Sequence, residues 1–417
     1  MSALNFKRTR FACYAAYFTM SSVFCVPPLL FSTFREMYGI SYTLLGTLVL
    51  INFCTQLGID LIFTAFSVHF NTKWTVRIMP FITACGLLVY ALLPMLFPQI
   101  AYLGLVLGTV IFSVAAGLSE VLLSPTIAAM PSENPQRDMS MLHSLYAFGV
   151  VAMISFSTLF FGLFGRENWV YLVLVLAVLP LISAVLFMLS PMPDMDTATA
   201  DASKAKGATG RIKGLALCVL CIFFGSCAEN VMSNWLSSYM EITLGIDKAF
   251  GDILGVAMFA VLLGIVRIAY AKFGKSIFGV LLWGMVGAAA CYLIVALSPS
   301  VPVAFVACIA TGLCTSMLWP GTLIMMEEKI SHVGVAAYAL MAASGDLGAS
   351  VAPQMMGVVI DRISVSAFAC RLGEKFHLTA EQVGLRAGML VTALFPILGA
   401  LCVLLAMRYF KKRSKVC

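Results

Sequence analysis

Carboxylates placed inside long apolar stretches are the residues of this sequence most able to do chemistry. Glu120 lies in GLSEVLLSP (117–125), and both flanks of that stretch are equally apolar. A charge at the centre of a bilayer costs about 2.5–3.5 kcal/mol on insertion scales, and a carboxyl group there can load and release a proton. Ser113, Gly117 and Ser124 share its helix face, so we expect a small, polar cavity wall. The alternative is a carboxyl group paired for packing between helices.

Two further polar stripes have residues spaced four apart, each on one face of a predicted helix. They are Asn52, Gln56 and Asp60, and Asp346, Ser350 and Gln354. If the stripes face each other, the two acids cannot both ionise cheaply, and one of them holds a proton. The alternative is interhelical hydrogen bonding, worth about 1 kcal/mol or less per contact. Sodium also stays open as the coupling ion, because Asn52, Gln56 and Asp60 are oxygen donors.

Amides, hydroxyls and aromatic rings in other apolar segments could bind a neutral polyol such as a sugar. The alternatives are an interfacial aromatic at Trp235, helix capping by His143 and simple packing of Trp319. Arg267, inside another apolar segment, either snorkels to the interface, which we favour, or pairs with an acid. The candidate substrate-binding residues are His143, Tyr146, Glu229, Asn230, Asn234, Trp235, Asn52, Gln56 and Trp319.

Composition indicates what kind of element must position these residues. Of the 417 residues 61% are hydrophobic and 11% charged, whereas soluble domains are nearer half apolar and a quarter charged. A bilayer core needs about 20 apolar residues per helix, and the alternation typical of a membrane barrel is absent. We predict twelve spanning helices, at roughly 9–33, 41–67, 74–97, 99–128, 138–164, 168–190, 212–240, 248–271, 276–298, 301–326, 333–360 and 380–409.

The charges predict an orientation. Most of the 26 Lys and Arg residues fall on one side of this segmentation, including the tail KKRSK (411–415). Positive residues stay in the cytoplasm, so we predict that both termini are cytoplasmic and that the membrane is the plasma (cell inner) membrane. The net charge of +7 is therefore an orientation signal, and we expect no nucleic-acid partner. No cleavable signal peptide is predicted.

The chain divides into two similar halves around a polar linker. Residues 191–211 are rich in small polar residues, which predicts a six-helix bundle at 1–190 and another at 212–417. GLSEVLLSPTIAAM (117–130) and GLCTSMLWPGTLIMM (312–326) share a Gly-Leu and a Pro at the same spacing. A parallel repeat of this kind is typical of a two-bundle transporter with its site between the halves. Ser41 and Asp247 are helix N-cap candidates at matching places in the two halves.

One outer segment is long enough to form more than a short turn. We predict that residues 361–379 form an outside loop, read as a connection or a lid. Thr379 with Gln382 fits a capping box at the start of the last helix. Pro27-Pro28 predicts a kink in the first helix.

The chain as a whole resembles the major facilitator superfamily, and in detail the fucose permease type of sugar:proton symporter. The segment Glu120-x-x-x-Ser124-Pro125, the stretch MLHSLYAFG (141–149) and FFGSCAENVMSNW (223–235) carry the finer resemblance. It implies that Glu120 is the proton-linked carboxylate, that His143 and Tyr146 are polar positions of helix 5, and that Glu229, Asn230 and Trp235 line the cavity. The chain departs from that type in its first helix, which has no acid, in having Ser124 and His143 where Asn and Gln are usual, and in its eroded loop TAFSVHFNTK (64–73).

These observations predict an all-α membrane protein with twelve transmembrane helices in two six-helix bundles related by a parallel pseudo-repeat. The expected function is proton-coupled symport of a small polar solute, with Glu120, Asp60 and Asp346 as proton-coupling candidates. The alternative is a drug or metabolite:proton antiporter, although helix 5 lacks the Pro of the antiporter signature. We expect no enzyme activity, because the four His are dispersed and no HExxH or GxSxG occurs. No cofactor or metal is expected, and the chain is predicted to be a monomer.

Overall fold

Helices are the only regular elements in the part of the chain that the structure describes. The structure is a computed structural model, and it describes residues 6–66, 69–133, 135–193, 209–273, 276–330 and 335–413. By internal contacts the chain forms two compact units, 1–40 with 51–201 and 41–50 with 202–417. Residues 194–208 of the predicted linker lie outside the described residues.

Nine α-helices occur in the described residues between 6 and 193. They are α1 (Lys7–Phe24), α2 (Val26–Leu29), α3 (Phe31–Tyr38), α4 (Tyr42–Phe66), α5 (Thr72–Leu96), α6 (Ala101–Ala128), α7 (Pro135–Phe164), α8 (Trp169–Leu176) and α9 (Val178–Met188). Two 3-10 turns, Pro98–Ile100 and Arg166–Asn168, precede α6 and α8. The core of this first unit lies where α1, α5 and α6 meet, around the fully buried Ala12, Val76 and Ala115.

The remaining helices begin at Thr209, which lies inside the predicted linker 191–211. They are α10 (Thr209–Ile242), α11 (Lys248–Gly251), α12 (Met258–Phe273), α13 (Ile277–Leu297), α14 (Val301–Thr315), α15 (Leu318–Lys329), α16 (Val335–Ser364), α17 (Ala367–Phe376), α18 (Ala380–Thr392) and α19 (Leu394–Arg413). A π-helical turn, Asp252–Ala257, joins α11 to α12. The core of this second unit surrounds the fully buried Cys218, Leu281 and Met325.

Ten stretches in the described ranges are long and apolar enough to cross a membrane. They are Lys7–Leu29, Tyr42–Phe63, Thr72–Leu96, Pro98–Leu123, Arg166–Met188, Ile212–Ile242, Lys248–Arg267, Ile277–Leu297, Val301–Met326 and Ala380–Lys412. The two other predicted spans correspond to α7, with a shorter apolar part at Phe148–Phe164, and to α16, which has 30 residues. At 1.5 Å per residue α16 is about 45 Å long, which exceeds the bilayer core of about 30 Å.

Several predicted helices are broken, and four of the broken helices have a proline at or just after the break. The predicted kink at Pro27-Pro28 is confirmed, because the first helix is divided into α1, α2 and α3 there. Three more breaks precede Pro180, Pro320 and Pro396 by three or four residues. Proline has no N–H to donate to the carbonyl four residues earlier, and its ring clashes with that carbonyl.

The segment before α18, predicted to be an outside loop, is helical for most of its length, so the prediction of a loop was wrong. Helix α16 continues to Ser364, and residues 367–376 form α17. Local capping was predicted correctly: Thr379 and Gln382 form the capping box of α18. Ser41 and Asp247 also accept hydrogen bonds at helix starts, from the backbone N–H groups of Leu44 and Phe250.

Candidate functional site

A pair of carboxylates lies between α4 and α6 in the first unit. Oxygens of Asp60 and Glu120 lie within 4.8 Å of each other. Asp60 Oδ1 is buried and receives no hydrogen bond within the described part of the chain, whereas Glu120 is exposed. Two unit charges at this distance repel by about 3.5 kcal/mol at an effective dielectric constant of about 20. The pair therefore resists carrying two charges and is well suited to holding one proton.

A glycine sets the approach of α6 to α4 one turn before Glu120. A Cβ atom on Gly117 would lie 3.2 Å from the Cα of Gln56 and 3.1 Å from the Cβ of Ile59. These distances are tighter than ordinary van der Waals contact, so a larger residue would push the helices apart. The small residue that we expected on this face thus brings the two acids within reach of each other.

Hydrogen bonds fix the buried part of the same helix pair. The Ser113 hydroxyl donates to Asn52 Oδ1 at 2.6 Å, and both residues are buried. The Gln56 amide, also buried, donates to the backbone carbonyl of Asn52 at 3.4 Å. The bond between Ser113 and Asn52 is of the interhelical kind that we named as the alternative to a proton site. Away from them, Tyr146 on α7 is exposed.

The structure does not describe the side chains of two residues singled out from the sequence of the first unit. His143 lies in α7 and Ser124 in α6, but their side chains lie outside what the structure describes. Their roles stay predictions that follow from the resemblance.

In the second unit an ion pair joins α10 and α12. Arg267 of α12 approaches Glu229 of α10 to 3.7 Å. Its Nε donates to the carbonyl of Ser316 at 2.9 Å. That carbonyl cannot accept from the residue four positions later, because residue 320 is proline. Of the two alternatives for Arg267, pairing with an acid is present, and the side chain also uses the carbonyl that the proline leaves without its helical donor. Snorkelling to the interface stays a prediction.

The two candidate asparagines of α10 donate back to their own helix. The Asn230 amide donates to the Ser226 carbonyl at 3.1 Å, and the Asn234 amide donates to the Asn230 carbonyl at 2.8 Å. By contrast, Glu229 Oε2 is buried and receives no hydrogen bond from the described residues. Among the candidates on α10, Glu229 therefore has a buried carboxylate oxygen that receives no hydrogen bond from the described residues.

Both candidate tryptophans of the second unit make packing contacts. Trp235 is fully buried, and its indole N–H donates to the carbonyl of Pro353 on α16 at 3.2 Å. In this conformation it lies in the packing between α10 and α16, which differs from the cavity position that the resemblance implies. Trp319 packs over Gly345, where a Cβ would overlap its ring. The adjacent Asp346 is buried on α16.

Sequence reasoning missed a buried charge cluster at the start of α11. Lys248 is only 5% exposed. Its ammonium donates to the Ser237 hydroxyl at 2.7 Å and lies 3.6 Å from Asp252 and 3.7 Å from Glu241. Ser237 in turn donates to Asp252. The spacing of Lys248 and Asp252, four apart at a predicted helix start, was the available signal.

A second feature missed by sequence reasoning is the anchoring of residues 41–50, which belong to the second unit. The Asp361 carboxylate accepts hydrogen bonds from the backbone N–H groups of Tyr42 and Thr43, at 3.1 and 2.6 Å. The Tyr42 hydroxyl donates to Glu381 at 2.6 Å. Thr47 donates to Gln354, the last residue of one predicted polar stripe, at 3.0 Å. These contacts join residues more than 300 positions apart, so no local pattern indicates them.

Comparison with known proteins gives the family. Residues 11–353 match the model of the Major Facilitator Superfamily. The chain belongs to this superfamily, whose members are integral membrane transporters. No match was found among curated proteins.

Solved structures of other transporters share the fold over nearly the whole chain. A bacterial homologue of the human lysosomal transporter Spinster, in an inward-facing and occupied conformation, matches with a TM-score of 0.76 at 15% identity, covering 97% of each chain. A D-xylose-proton symporter matches with a TM-score of 0.71 at 14% identity, covering 93% of this chain and 96% of the other. The fucose:proton symporter of E. coli matches with a TM-score of 0.59 at 13% identity, covering 96% and 99%.

These likenesses confirm the predicted fold class and its two-bundle architecture. They do not confirm the resemblance to the fucose permease type in particular, because the structural matches include transporters of several kinds. A nucleoside transporter, for example, matches with a TM-score of 0.70 at 13% identity, covering 95% of this chain and 99% of the other.

Proposed function

We propose that this protein is a proton-coupled symporter of a small polar solute, such as a sugar, that works by alternating access. The observation that carries the proposal is the pair of Asp60 and Glu120, whose carboxylate oxygens lie within 4.8 Å inside two apolar helices. None of the ion pairs between described residues involves either acid. A structural acid would be expected to have a cationic partner, whereas a proton carrier must exchange its proton.

The pair couples transport to the proton through its charge. With one proton bound, the mutual repulsion is absent, and the pair carries a single negative charge. When both acids are ionised, their repulsion favours binding of a proton. The side with the higher proton activity supplies that proton. The proton-motive force biases the loaded, protonated carrier to turn inward, where Glu120 releases its proton. Asp346 remains a proposed third member of the proton-coupling set.

Solute binding is assigned to the polar residues predicted from sequence. In the second unit Glu229 combines a buried acceptor without a hydrogen bond with a neighbouring cation, Arg267. Such an arrangement can accept a hydrogen bond from a solute hydroxyl while keeping its charge compensated. The other proposed contacts are His143, Tyr146, Asn230, Asn234, Trp235, Asn52, Gln56 and Trp319. Of these, Trp235 would need a conformation other than the present one, because it is fully buried.

The names of two matched structures, a D-xylose-proton symporter and a fucose:proton symporter, are consistent with this class of activity. They are analogies at 14% and 13% identity and leave the solute open. We further propose that the protein is a monomer in the plasma membrane with both termini in the cytoplasm, since the basic residues are concentrated on that side.

The test is proton entry into proteoliposomes that hold a trapped pH dye. Sugars, polyols, nucleosides and cationic drugs are added outside one at a time. Acidification of the lumen on addition of one polar solute, absent from liposomes without protein, is the expected result. Alkalinisation on addition of a cationic compound would overturn symport in favour of the drug:proton antiporter, and solute entry that follows a sodium gradient would replace the proton as coupling ion.

A further inference from the structure

Helix α17 has the composition and placement of a helix that lies in the plane of the membrane surface. It has 10 residues and follows α16 after only Val365 and Ser366. Three residues, 377–379, separate it from α18. An extended residue spans at most about 3.6 Å, so both ends of α17 lie within roughly 15 Å of the ends of membrane-spanning helices. The helix itself is about 15 Å long and therefore stays close to the bilayer surface.

The ends of α17 are fixed by its own sequence. Ser366 caps the first turn by accepting a hydrogen bond from the backbone N–H of Ala369. At the other end His377 adopts the left-handed conformation, with φ of 55°, and Leu378 N–H donates to the Gly373 carbonyl at 3.0 Å. Caps of this kind stop the helix at both ends. The segment is thus a helix with a defined cap at each end.

One face of α17 packs on the protein and another exposes aromatic rings. Ala369 and Gly373, four apart, are buried. Phe368, Leu372 and Phe376 form a separate stripe, also with spacings of four. Phe368 is 55% and Phe376 57% exposed. The two phenylalanine rings, each more than half exposed, give this side of α17 an apolar surface.

Cations border the aromatic stripe. Arg371 and Lys375 are exposed on α17, and Arg362 is exposed at the end of α16. The Lys375 ammonium lies 5.5 Å from the centroid of the Phe376 ring, so that a charge and an apolar group occupy the same edge of the helix. Two nearby acids accept hydrogen bonds from other residues: Asp361 from Thr43, and Glu381 from Tyr42. On α17 itself, Glu374 is the exposed acid.

We propose that α17 docks into the bilayer interface, with Phe368, Leu372 and Phe376 among the lipid chains and Arg371 and Lys375 on anionic phospholipid headgroups. Apolar side chains on one face and Lys or Arg beside them are the features of helices that lie in this plane. Residues 361–379 carry three cations, Arg362, Arg371 and Lys375, and two acids, Asp361 and Glu374, and anionic headgroups match this excess of positive charge. The proposal is independent of the solute and of the coupling ion.

The test uses a nitroxide label at two positions on opposite sides of the helix. The native Cys370 is exposed and lies two residues, or about 200° around the helix, from Phe368. One variant keeps Cys370, and a second carries Phe368→Cys with Cys370→Ser; the other accessible cysteines are replaced in both. In proteoliposomes we expect the label at 368 to be relaxed by oxygen, which concentrates in lipid, and the label at 370 by a water-soluble nickel chelate.

The headgroup assignment is tested by lipid charge. Vesicles of phosphatidylcholine alone are compared with vesicles that contain phosphatidylglycerol. In both, the double variant with Arg371→Gln and Lys375→Gln is compared with the protein that keeps the two cations. Each cation near an anionic surface should change the docked-to-undocked ratio by about fivefold. Equal nickel access at 368 and 370 would overturn the proposal. So would exclusion of both reagents from 368, which would indicate a second copy of the chain or another protein. Docking that ignores lipid charge would overturn the role of the cations.

Discussion

Replacing Glu120 by Gln is the change that tests the proton-linked pair most directly. The carboxylates of Asp60 and Glu120 lie within 4.8 Å, and the repulsion between two charges at that distance is about 3.5 kcal/mol. Since about 1.4 kcal/mol corresponds to a factor of ten, the pair disfavours the doubly charged state by roughly 300-fold. Glu120→Gln keeps the shape of the side chain and removes this bias together with the proton site.

We expect the variant to lose solute accumulation driven by a pH gradient and to keep solute exchange. Both are measured in the same proteoliposomes: uptake of labelled solute against an imposed gradient, and counterflow at equal pH on both sides. Counterflow needs only binding and turning of the carrier, so it reports a correctly folded site. Glu120→Asp, which retains an acid, should keep part of the gradient-driven uptake.

The matched control removes the same charge elsewhere. Glu133 is exposed in the connection between α6 and α7, so Glu133→Gln changes the net charge equally without touching the pair. Equal loss of uptake and counterflow in Glu120→Gln would refute the reasoning and assign Glu120 to binding or packing. Full gradient-driven uptake in Glu120→Gln would refute it as well, because the proton would then be carried by other groups.

Three further changes test the other charged contacts. Lys248→Met leaves Asp252 buried without its cation, and we expect a loss of about 3–5 kcal/mol in the free energy of unfolding, measured in detergent by chemical denaturation and partly restored by adding Asp252→Asn. Asp361→Asn weakens the cap on residues 42 and 43 and should cost about 1 kcal/mol, seen as faster amide hydrogen exchange there and nowhere else in α4. Arg267→Leu leaves Glu229 without its cation and should lower solute affinity in counterflow, whereas Arg267→Lys should retain part of it; an unchanged affinity in both would contradict the proposed role of Glu229.

Features that depend on local sequence could be predicted. The break at Pro27-Pro28, the caps at Ser41, Asp247 and Thr379, and the helical nature of every long apolar stretch follow from rules that act within a few residues. The approach of α4 to α6 was not predicted, because the small and polar face of Glu120 was interpreted as a cavity wall. A composition rule alone would have missed α16, whose polar residues keep it outside the ten apolar stretches.

Contacts between distant segments could not be predicted. Asp361 lies 319 positions from Tyr42, and no periodicity relates the two. The aromatic character of Trp235 suggested a cavity, but its indole meets the Pro353 carbonyl, a partner that only the packing of α10 on α16 provides. The prediction of a loop at 361–379 was wrong because charged residues interrupt the apolar pattern there. The apolar stripe of α17 has only three members, Phe368, Leu372 and Phe376.

The Arg267 contact shows how a local rule and a distant partner combine. Pro320 deprives the Ser316 carbonyl of its helical donor, and this follows from the sequence alone. An acceptor left inside the apolar part of the chain costs free energy unless a donor reaches it. Arg267 supplies that donor through Nε and, with its remaining nitrogens, approaches Glu229. One guanidinium therefore donates to the carbonyl freed by the break before Pro320 and lies beside the Glu229 carboxylate. Through Arg267, the position of Glu229 is linked to that break.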